Sequence, residues 1–269
     1  GLRRRPMLLC VNVGNTNTVG GLYKDGEWVA RWRVRTVHDR MPDEYAMLWK
    51  ALLNDRGYSF RDVRRVTISS VVPPVTGALV ELCENYFGFA PLIIGPGIKT
   101  GMRIRIDNPA ELGADLLCDA VAAYHRFRSA CIAIDFGTAT TLSAVADNGD
   151  FLGVAIALGL GPAADTLAGR TAQLPRINLV PPPTAIGKNT VHSMQSGLIF
   201  GYVGLVEGLV ARMRHELGGQ AKVVATGGLV QVLAPLLKCV DAVDPWLTLD
   251  GVRLLSERNT PAEGKSGDG

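Results

Sequence analysis

Leu8-Leu-Cys-Val-Asn-Val-Gly-Asn-Thr-Asn-Thr-Val-Gly-Gly-Leu-Tyr23 and Ala130-Cys-Ile-Ala-Ile-Asp-Phe-Gly-Thr-Ala-Thr-Thr-Leu-Ser-Ala-Val145 are two copies of one pattern. In each, an apolar run leads to an amide or carboxylate, a glycine, a short polar segment and a second apolar run. Aligned on the glycine, Val11-Asn12-Val13-Gly14-Asn15-Thr16 lies over Ile134-Asp135-Phe136-Gly137-Thr138-Ala139, 123 positions further on. Each copy reads as strand, tight polar turn, strand. One copy alone would be an ordinary β-hairpin. Two copies separated by nearly half the chain point to internal duplication, which outranks any local motif as evidence on architecture. Two related α/β halves facing one another are expected.

The intervening sequence alternates in the same way. Residues 28–35 have strand character with Arg31, Arg33 and Arg35 on one face, a solvated stripe. Residues 43–53 have helical spacing behind an acidic start, residues 66–72 form a strand stopped by Pro73-Pro74, and a helix is expected over 75–86. Residues 191–217 read as one long helix carrying Gly197, Gly201, Gly204 and Gly208 on a single stripe. Each glycine costs a helix about 1 kcal/mol relative to alanine. A stripe of four implies a closely approaching backbone, either at a subunit interface or inside one subunit.

The composition narrows the class. The chain has 269 residues, 47% of them hydrophobic, which excludes wholesale disorder. A net charge of +3 gives no electrostatic reason to expect nucleic acid or an acidic membrane surface as partner. Cys10, Cys83, Cys118, Cys131 and Cys239 form no CxxC pair and sit mostly in apolar runs, as buried reduced thiols do. The basic start before Met7 looks superficially like a signal peptide, but Asn12 and Gly14 break the apolar run and no small-residue cleavage site follows. The apolar stretch 151–164 is too short for a bilayer. A soluble, cytoplasmic protein without a membrane partner is expected.

Glycine turns after strands expose backbone N–H groups that can surround phosphate oxygens, with Asn15, Thr16, Asn17, Thr138, Thr140 and Thr141 as added donors. Asp135 at a strand end could hold a cation beside them. Val223-Val-Ala-Thr-Gly-Gly-Leu229 reads as a strand entering a helix, with paired glycines against which a flat ligand could lie. Gly95-Pro-Gly-Ile-Lys-Thr-Gly101 fails the Walker pattern because Ile98 precedes Lys99. There is no GxSxG or HExxH, and the four histidines are unclustered. Asp115, opening a helical pattern after the loop at Asp107-Asn-Pro109, fits either an N-terminal helix carboxylate or a general base.

Taken together, Val13-Gly-Asn-Thr-Asn-Thr18, Gly95-Pro-Gly-Ile-Lys-Thr-Gly101, Gly113-Ala-Asp115, Ile134-Asp-Phe-Gly-Thr-Ala-Thr-Thr141, Gly187-Lys-Asn-Thr-Val191, Met194-Gln-Ser-Gly197 and Ala225-Thr-Gly-Gly228 resemble type III pantothenate kinases, in order and spacing across nearly the whole chain. The resemblance implies an α/β fold of the duplicated actin/hexokinase/Hsp70-like (ribonuclease H-like) kind, a homodimer, and ATP-dependent phosphorylation of pantothenate, the first step toward coenzyme A. It implies Mg²⁺ and a monovalent cation, K⁺ or NH₄⁺, the latter near Asp135. By carry-over, Asn12, Val13, Gly14, Asn15, Thr16, Asn17 and Thr18 would bind the nucleotide with Gly137 and Thr138. Gly227 and Gly228 would face the adenosine. Asp115 would be the base, and Ile106, Gly113, Ala114, Leu116 and Thr190 would line the acceptor side. The halves would span 7–112 and 113–259, with flexible tails at 1–6 and 260–269.

Some positions depart from the family pattern. Its opening Asp-x-Gly-Asn-Thr has Asn12 in first place here, Gly-Ala-Asp-Arg ends in Leu116, and the Tyr before Asp-Asn-Pro is Ile106. Leu152-Gly-Val-Ala-Ile-Ala-Leu-Gly159 lacks the proline of the corresponding family segment. Three of them, Asn12, Ile106 and Leu116, fall on acceptor or metal positions. They leave a different hydroxyl substrate, or a non-catalytic nucleotide-binding regulator, as alternatives to pantothenate phosphorylation.

Overall fold

A computed structural model describes residues 6–260; the stretches 1–5 and 261–269, where most of the expected tails fall, lie outside the described residues. Thr260 is still held, its hydroxyl donating to the Ser256 carbonyl at 2.7 Å. The chain forms two compact units. Of the described residues, one unit contains 6–101, Ala110–Cys118 and 248–260; the other contains Met102–Pro109 and Asp119–Leu247. The expected boundary at 112/113 is a single cut in sequence, whereas membership of the units changes hands four times along the chain.

In the first unit, β1 (Met7–Val13), β2 (Asn17–Lys24), β3 (Glu27–Arg35), β4 (Val63–Ser70) and β5 (Leu92–Ile93) form a sheet of order β3-β2-β1-β4-β5. Strand β1 runs antiparallel to β2 and parallel to β4. Being central and covered on both faces, it buries every residue except Asn12, which is why it reads as a continuous apolar run. Leu9, Val11 and Val13 pack with Tyr45, Trp49 and Leu53 of α1 (Pro42–Asp55) and with Val75, Leu79 and Leu82 of α2 (Pro73–Leu82). Both triplets follow helical spacing. Pro73 and Pro74 end β4 and then serve as the first turn of α2, where their missing N–H groups are harmless. The expected helix over 75–86 is thus α2 followed by a wider turn at Cys83–Phe87. Arg31, Arg33 and Arg35 lie exposed on β3, while Ala30 before them and Trp32 between them face the core. The last helix, α8 (Leu247–Arg258), is tied to this sheet by Thr67–Ser256 and Trp28–Asp250 hydrogen bonds, both 2.8 Å.

The second unit repeats the design. β6 (Cys131–Phe136), β7 (Ala139–Val145), β8 (Phe151–Leu158), β9 (Lys222–Thr226) and β10 (Ala242–Val243) order as β10-β9-β6-β7-β8. Strand β6 is antiparallel to β7 and parallel to β9. Strand for strand this is the first sheet again, so the duplication read from the two glycine turns is present in topology as well as sequence. Residues 190–216 form one continuous helix: α5 (Thr190–Gln195), a wide turn at Ser196–Phe200, and α6 (Gly201–Glu216). Its Ile199, Tyr202, Val206 and Val210 enter the core with Ile132, Ile134 and Phe136.

Two features of this unit depart from expectation. A side-chain carbon placed at Gly197, Gly201, Gly204 or Gly208 would meet no atom within 4 Å, so no backbone of the described chain packs on the glycine stripe. The helix over 190–216 is also long and apolar enough, by length and composition, to cross a bilayer, although one face of it is a core face here. The glycines account for this: they keep the outer face free of charge without making it a packing surface within the unit.

Candidate functional site

The first glycine turn is closed by Gly14 N–H donating to the Asn17 carbonyl at 2.9 Å. Thr36 locks it from outside, its hydroxyl donating to the Gly14 carbonyl at 2.8 Å and its N–H to the Thr16 carbonyl at 2.9 Å. His38 Nε2 lies 2.9 Å from the Asn15 carbonyl. Asn15 and Thr16 are exposed and Gly14 and Asn17 half-buried. Val13 and Thr18 keep their side chains inside the turn. Val13 is fully buried and contributes only backbone to the turn, its carbonyl accepting from Val71. Thr18 is 1% exposed and its hydroxyl lies 2.8 Å from that of Thr36, so it shapes the turn rather than offering a donor outward.

In the second unit Gly137 and Thr138 occupy the corresponding turn, Gly137 half-buried and Thr138 exposed. Asp135 stands in register with Thr141 on β7 and Thr226 on β9, which places two hydroxyls beside its carboxylate on one face. Gly227 and Gly228 follow immediately. Gly227 has φ +103°, and a side-chain carbon there would come within 2.5 Å of both Asp135 Oδ1 and the Phe136 nitrogen. The glycine is therefore required by the close approach of β9's end to β6, and this brings the third glycine motif to the second turn. Gly228 is exposed beside it. Thr140, by contrast, is buried and engaged by the Tyr202 hydroxyl.

Asp115 lies in the first turn of α3 (Ala114–Phe127), directly after Gly113. It is half-buried, and burial raises its carboxyl above the ordinary carboxylate range; N–H donors, chiefly that of Leu116 at 2.9 Å, oppose the shift. Leu116 brings no charge of its own, so desolvation prevails. At the helix start this carboxylate accepts from its own helix, and its raised proton affinity leaves the general-base expectation to the proposal below. Gly113, Ala114 and Leu116 belong with Asp115 to the first unit, whereas Ile106 and Thr190 belong to the second. Ile106 follows a short bridge in which Arg105 N–H donates to the Phe151 carbonyl at 2.8 Å. Thr190 opens α5 behind Asn189, whose side chain accepts from His192 N–H. With Lys188, Met194, Leu167, Leu174 and Leu198 it lines a mostly aliphatic cavity of about 740 Å³, the size of a small-molecule site.

Three residues escaped the sequence reading. Gly159 approaches the second turn so closely that a side-chain carbon would stand 2.1 Å from the Thr138 carbonyl. Ser69 and Ser143 bury hydroxyls that find no hydrogen-bond partner, as does the Asn12 carbonyl oxygen. Ser69 is in register with Asn12 across β1 and β4, and Ser143 lies on the same strand face as Thr141. A serine inside an apolar strand gives no signal in sequence beyond its polarity. Only the register reveals that Ser69 and Asn12 are neighbours.

Comparisons with known proteins agree on the class. The family model of type III pantothenate kinase matches residues 8–212. The type III pantothenate kinase of Moorella thermoacetica is 47% identical over 254 residues, covering 94% of this chain and all of that one. Among solved structures, a Baf family protein from Campylobacter jejuni has a TM-score of 0.59 at 18% identity, covering 93% of this chain and 98% of that one. MreB 5 of Spiroplasma citri, bound to AMPPNP, has a TM-score of 0.55 at 10% identity, covering 95% and 97%. At such identities the structural matches establish the duplicated α/β fold alone. The relative at 47% identity and the family match over three quarters of the chain go further: this chain belongs to the type III pantothenate kinase family.

Proposed function

We infer that this chain transfers the γ-phosphoryl group of ATP to the terminal hydroxyl of pantothenate, with Asp115 accepting the hydroxyl proton. The observation that carries the assignment is Asp115 itself, at the matched family position, its carboxyl pushed upward by burial and held by the Leu116 N–H. The Gly14 and Gly137 turns and Thr138 hold the phosphates, and Gly227 and Gly228 face the adenosine. Thr190, carried over from the family as an acceptor contact, lines the aliphatic cavity of the second unit.

The two cations implied by the family differ in fit. Among the described residues no three His, Cys, Asp or Glu side chains converge, so any cation relies on single carboxylates, hydroxyls and carbonyls. Asp135, flanked in register by Thr141 and Thr226, suits a hard monovalent ion. When bound it would supply positive charge near the phosphates. Asn12 does not suit Mg²⁺: it is uncharged, and its oxygen is buried. Phosphoryl transfer rests largely on positioning and electrostatics, so here the backbone turns carry the larger share.

A homodimer fits the exposed surfaces of the second unit. Leu152, Val154, Ile156 and Leu158 all lie on one face of edge strand β8, with Ile156 66% and Leu158 58% exposed. An apolar edge of this kind is normally covered. The chemistry is tested by ADP release with pantothenate and hydroxyl analogues in the presence of Mg²⁺ and K⁺. Turnover with pantothenate is expected; ADP release unaffected by every acceptor would refute the assignment.

A further inference from the structure

We propose that Asn12 binds the nucleotide's phosphate chain directly through its amide nitrogen, so that this protein holds ATP with little dependence on a divalent cation. The inference rests on the ATP reading above and concerns how that site is built. The Asn12 carbonyl oxygen is buried and has no hydrogen-bond partner, and the same is true of the Ser69 hydroxyl. The two residues are in register on the parallel strands β1 and β4, hence on one face of the sheet, about 4.8 Å apart across the ladder. On the other side Asn12 stands opposite Val19, which offers no side-chain donor. Ser69 is 0% exposed.

A buried acceptor and a buried hydroxyl side by side, each unsatisfied, would destabilise the fold appreciably. One ordered water between them satisfies both, and a gap too long for a direct bond is where such a water sits. The structure sets the carbonyl end of Asn12 on this inner side. Asn12 as a whole is only half-buried, which leaves its amide nitrogen as the polar atom able to meet a ligand at the Gly14 turn. That nitrogen is a donor only. It cannot ligate a cation or accept from cation-bound water, but it can donate to a phosphate oxygen, as the turn's N–H groups do. An aspartate in this place would present an acceptor and a negative charge, repelling bare ATP and demanding a cation to mediate. The exchange of Asp for Asn thus converts a cation-dependent contact into a direct one.

Calorimetric titration of ATP in EDTA and in excess Mg²⁺, using the native protein, Asn12→Asp, Asn12→Ala and Ser69→Ala, tests this. Circular dichroism checks that each variant is folded. The native protein should bind ATP in EDTA within about threefold of its affinity in Mg²⁺. Asn12→Asp should weaken binding in EDTA by about tenfold or more while largely sparing binding in Mg²⁺, and Asn12→Ala should weaken both. Ser69→Ala, which removes one end of the water bridge, should move the ratio in the direction of Asn12→Asp. A native ratio of about tenfold or more that Asn12→Asp leaves unchanged would place the carbonyl outward and overturn the proposal, with the ATP reading intact. No ATP binding by folded native protein under either condition would remove the ATP reading and this proposal together.

Discussion

Asp115, the proposed base, sits in an environment that sets opposite signs for activity and stability. Burial raises its folded-state pKa. A group shifted in this direction adds stability below its unfolded pKa and loses that contribution as pH rises through the folded value. At neutral pH the ionised carboxylate is therefore a cost to folding. Asp115→Asn keeps an acceptor for the Leu116 N–H without the charge. Phosphoryl transfer should fall ~10²- to 10⁴-fold, ATP binding should persist in calorimetry, and the midpoint of thermal unfolding should rise at neutral pH, with the rise vanishing in acid. An unfolding midpoint that drops at neutral pH would show the carboxylate to be a helix-start anchor instead. Leu116→Arg addresses the same carboxyl from its neighbour. A base must be deprotonated to act, so the raised pKa sets the acid limb of kcat/KM above the ordinary carboxylate range. A guanidinium beside it opposes burial and should move that limb to lower pH. An unmoved limb would mean that another group titrates.

At the scale of elements, the second glycine turn is built by crowding. Gly159, the residue after β8, donates its N–H to the Thr138 carbonyl at 3.1 Å, and a side-chain carbon there would collide with that carbonyl and with that of Gly137. Gly159→Ala should cost about 1–3 kcal/mol in denaturant unfolding and weaken ATP binding by displacing Thr138; a variant as stable as the native protein would show that the β8 end can yield. This constraint explains the limits of the sequence reading. The strand–turn–strand copies were legible because each compresses strand, glycine and polar turn into sixteen adjacent residues. Gly159 was not legible as a turn component, because its partner lies twenty-one residues back and only the β7–β8 pairing unites them. Ser69 and Asn12 meet by parallel register, fifty-seven residues apart. Thr140 was read as a turn donor because a hydroxyl near a turn resembles any other until its burial and the Tyr202 hydroxyl are seen. The carry-over from the family to Asp115 and Asp135 rests on residue type at matching motifs, whereas the membership of α8 in the first unit needed the fold.

At the scale of the whole molecule, the surfaces that the single chain does not use matter most. Four glycines in the helix over residues 190–216 cost about 1 kcal/mol each relative to alanine, and nothing in the described chain packs against any of them. A cost with no return inside the subunit is balanced when a second copy lays backbone or aliphatic side chains on the stripe. The apolar row on β8 makes the same demand from an edge strand: Ile156 and Leu158 expose more side chain than a lone solvated strand usually tolerates. The homodimer expected of the family meets both demands if its interface takes in the β8 face and the glycine stripe. Light scattering coupled to gel filtration should find a dimer for the native protein. Ile156→Lys sets a charge in the apolar row, and Gly204→Leu fills the stripe that a partner would occupy. In an isolated chain both changes are mild, since Ile156 faces outward and Gly204 has open space, and Leu favours helix more than Gly does. In the dimer each should weaken association by about tenfold or more, giving monomers at concentrations where the native protein is paired while circular dichroism stays unchanged. If both variants remain dimeric, the interface lies on another surface; if only Ile156→Lys dissociates, β8 alone is the contact and the glycines serve the helix in some other way.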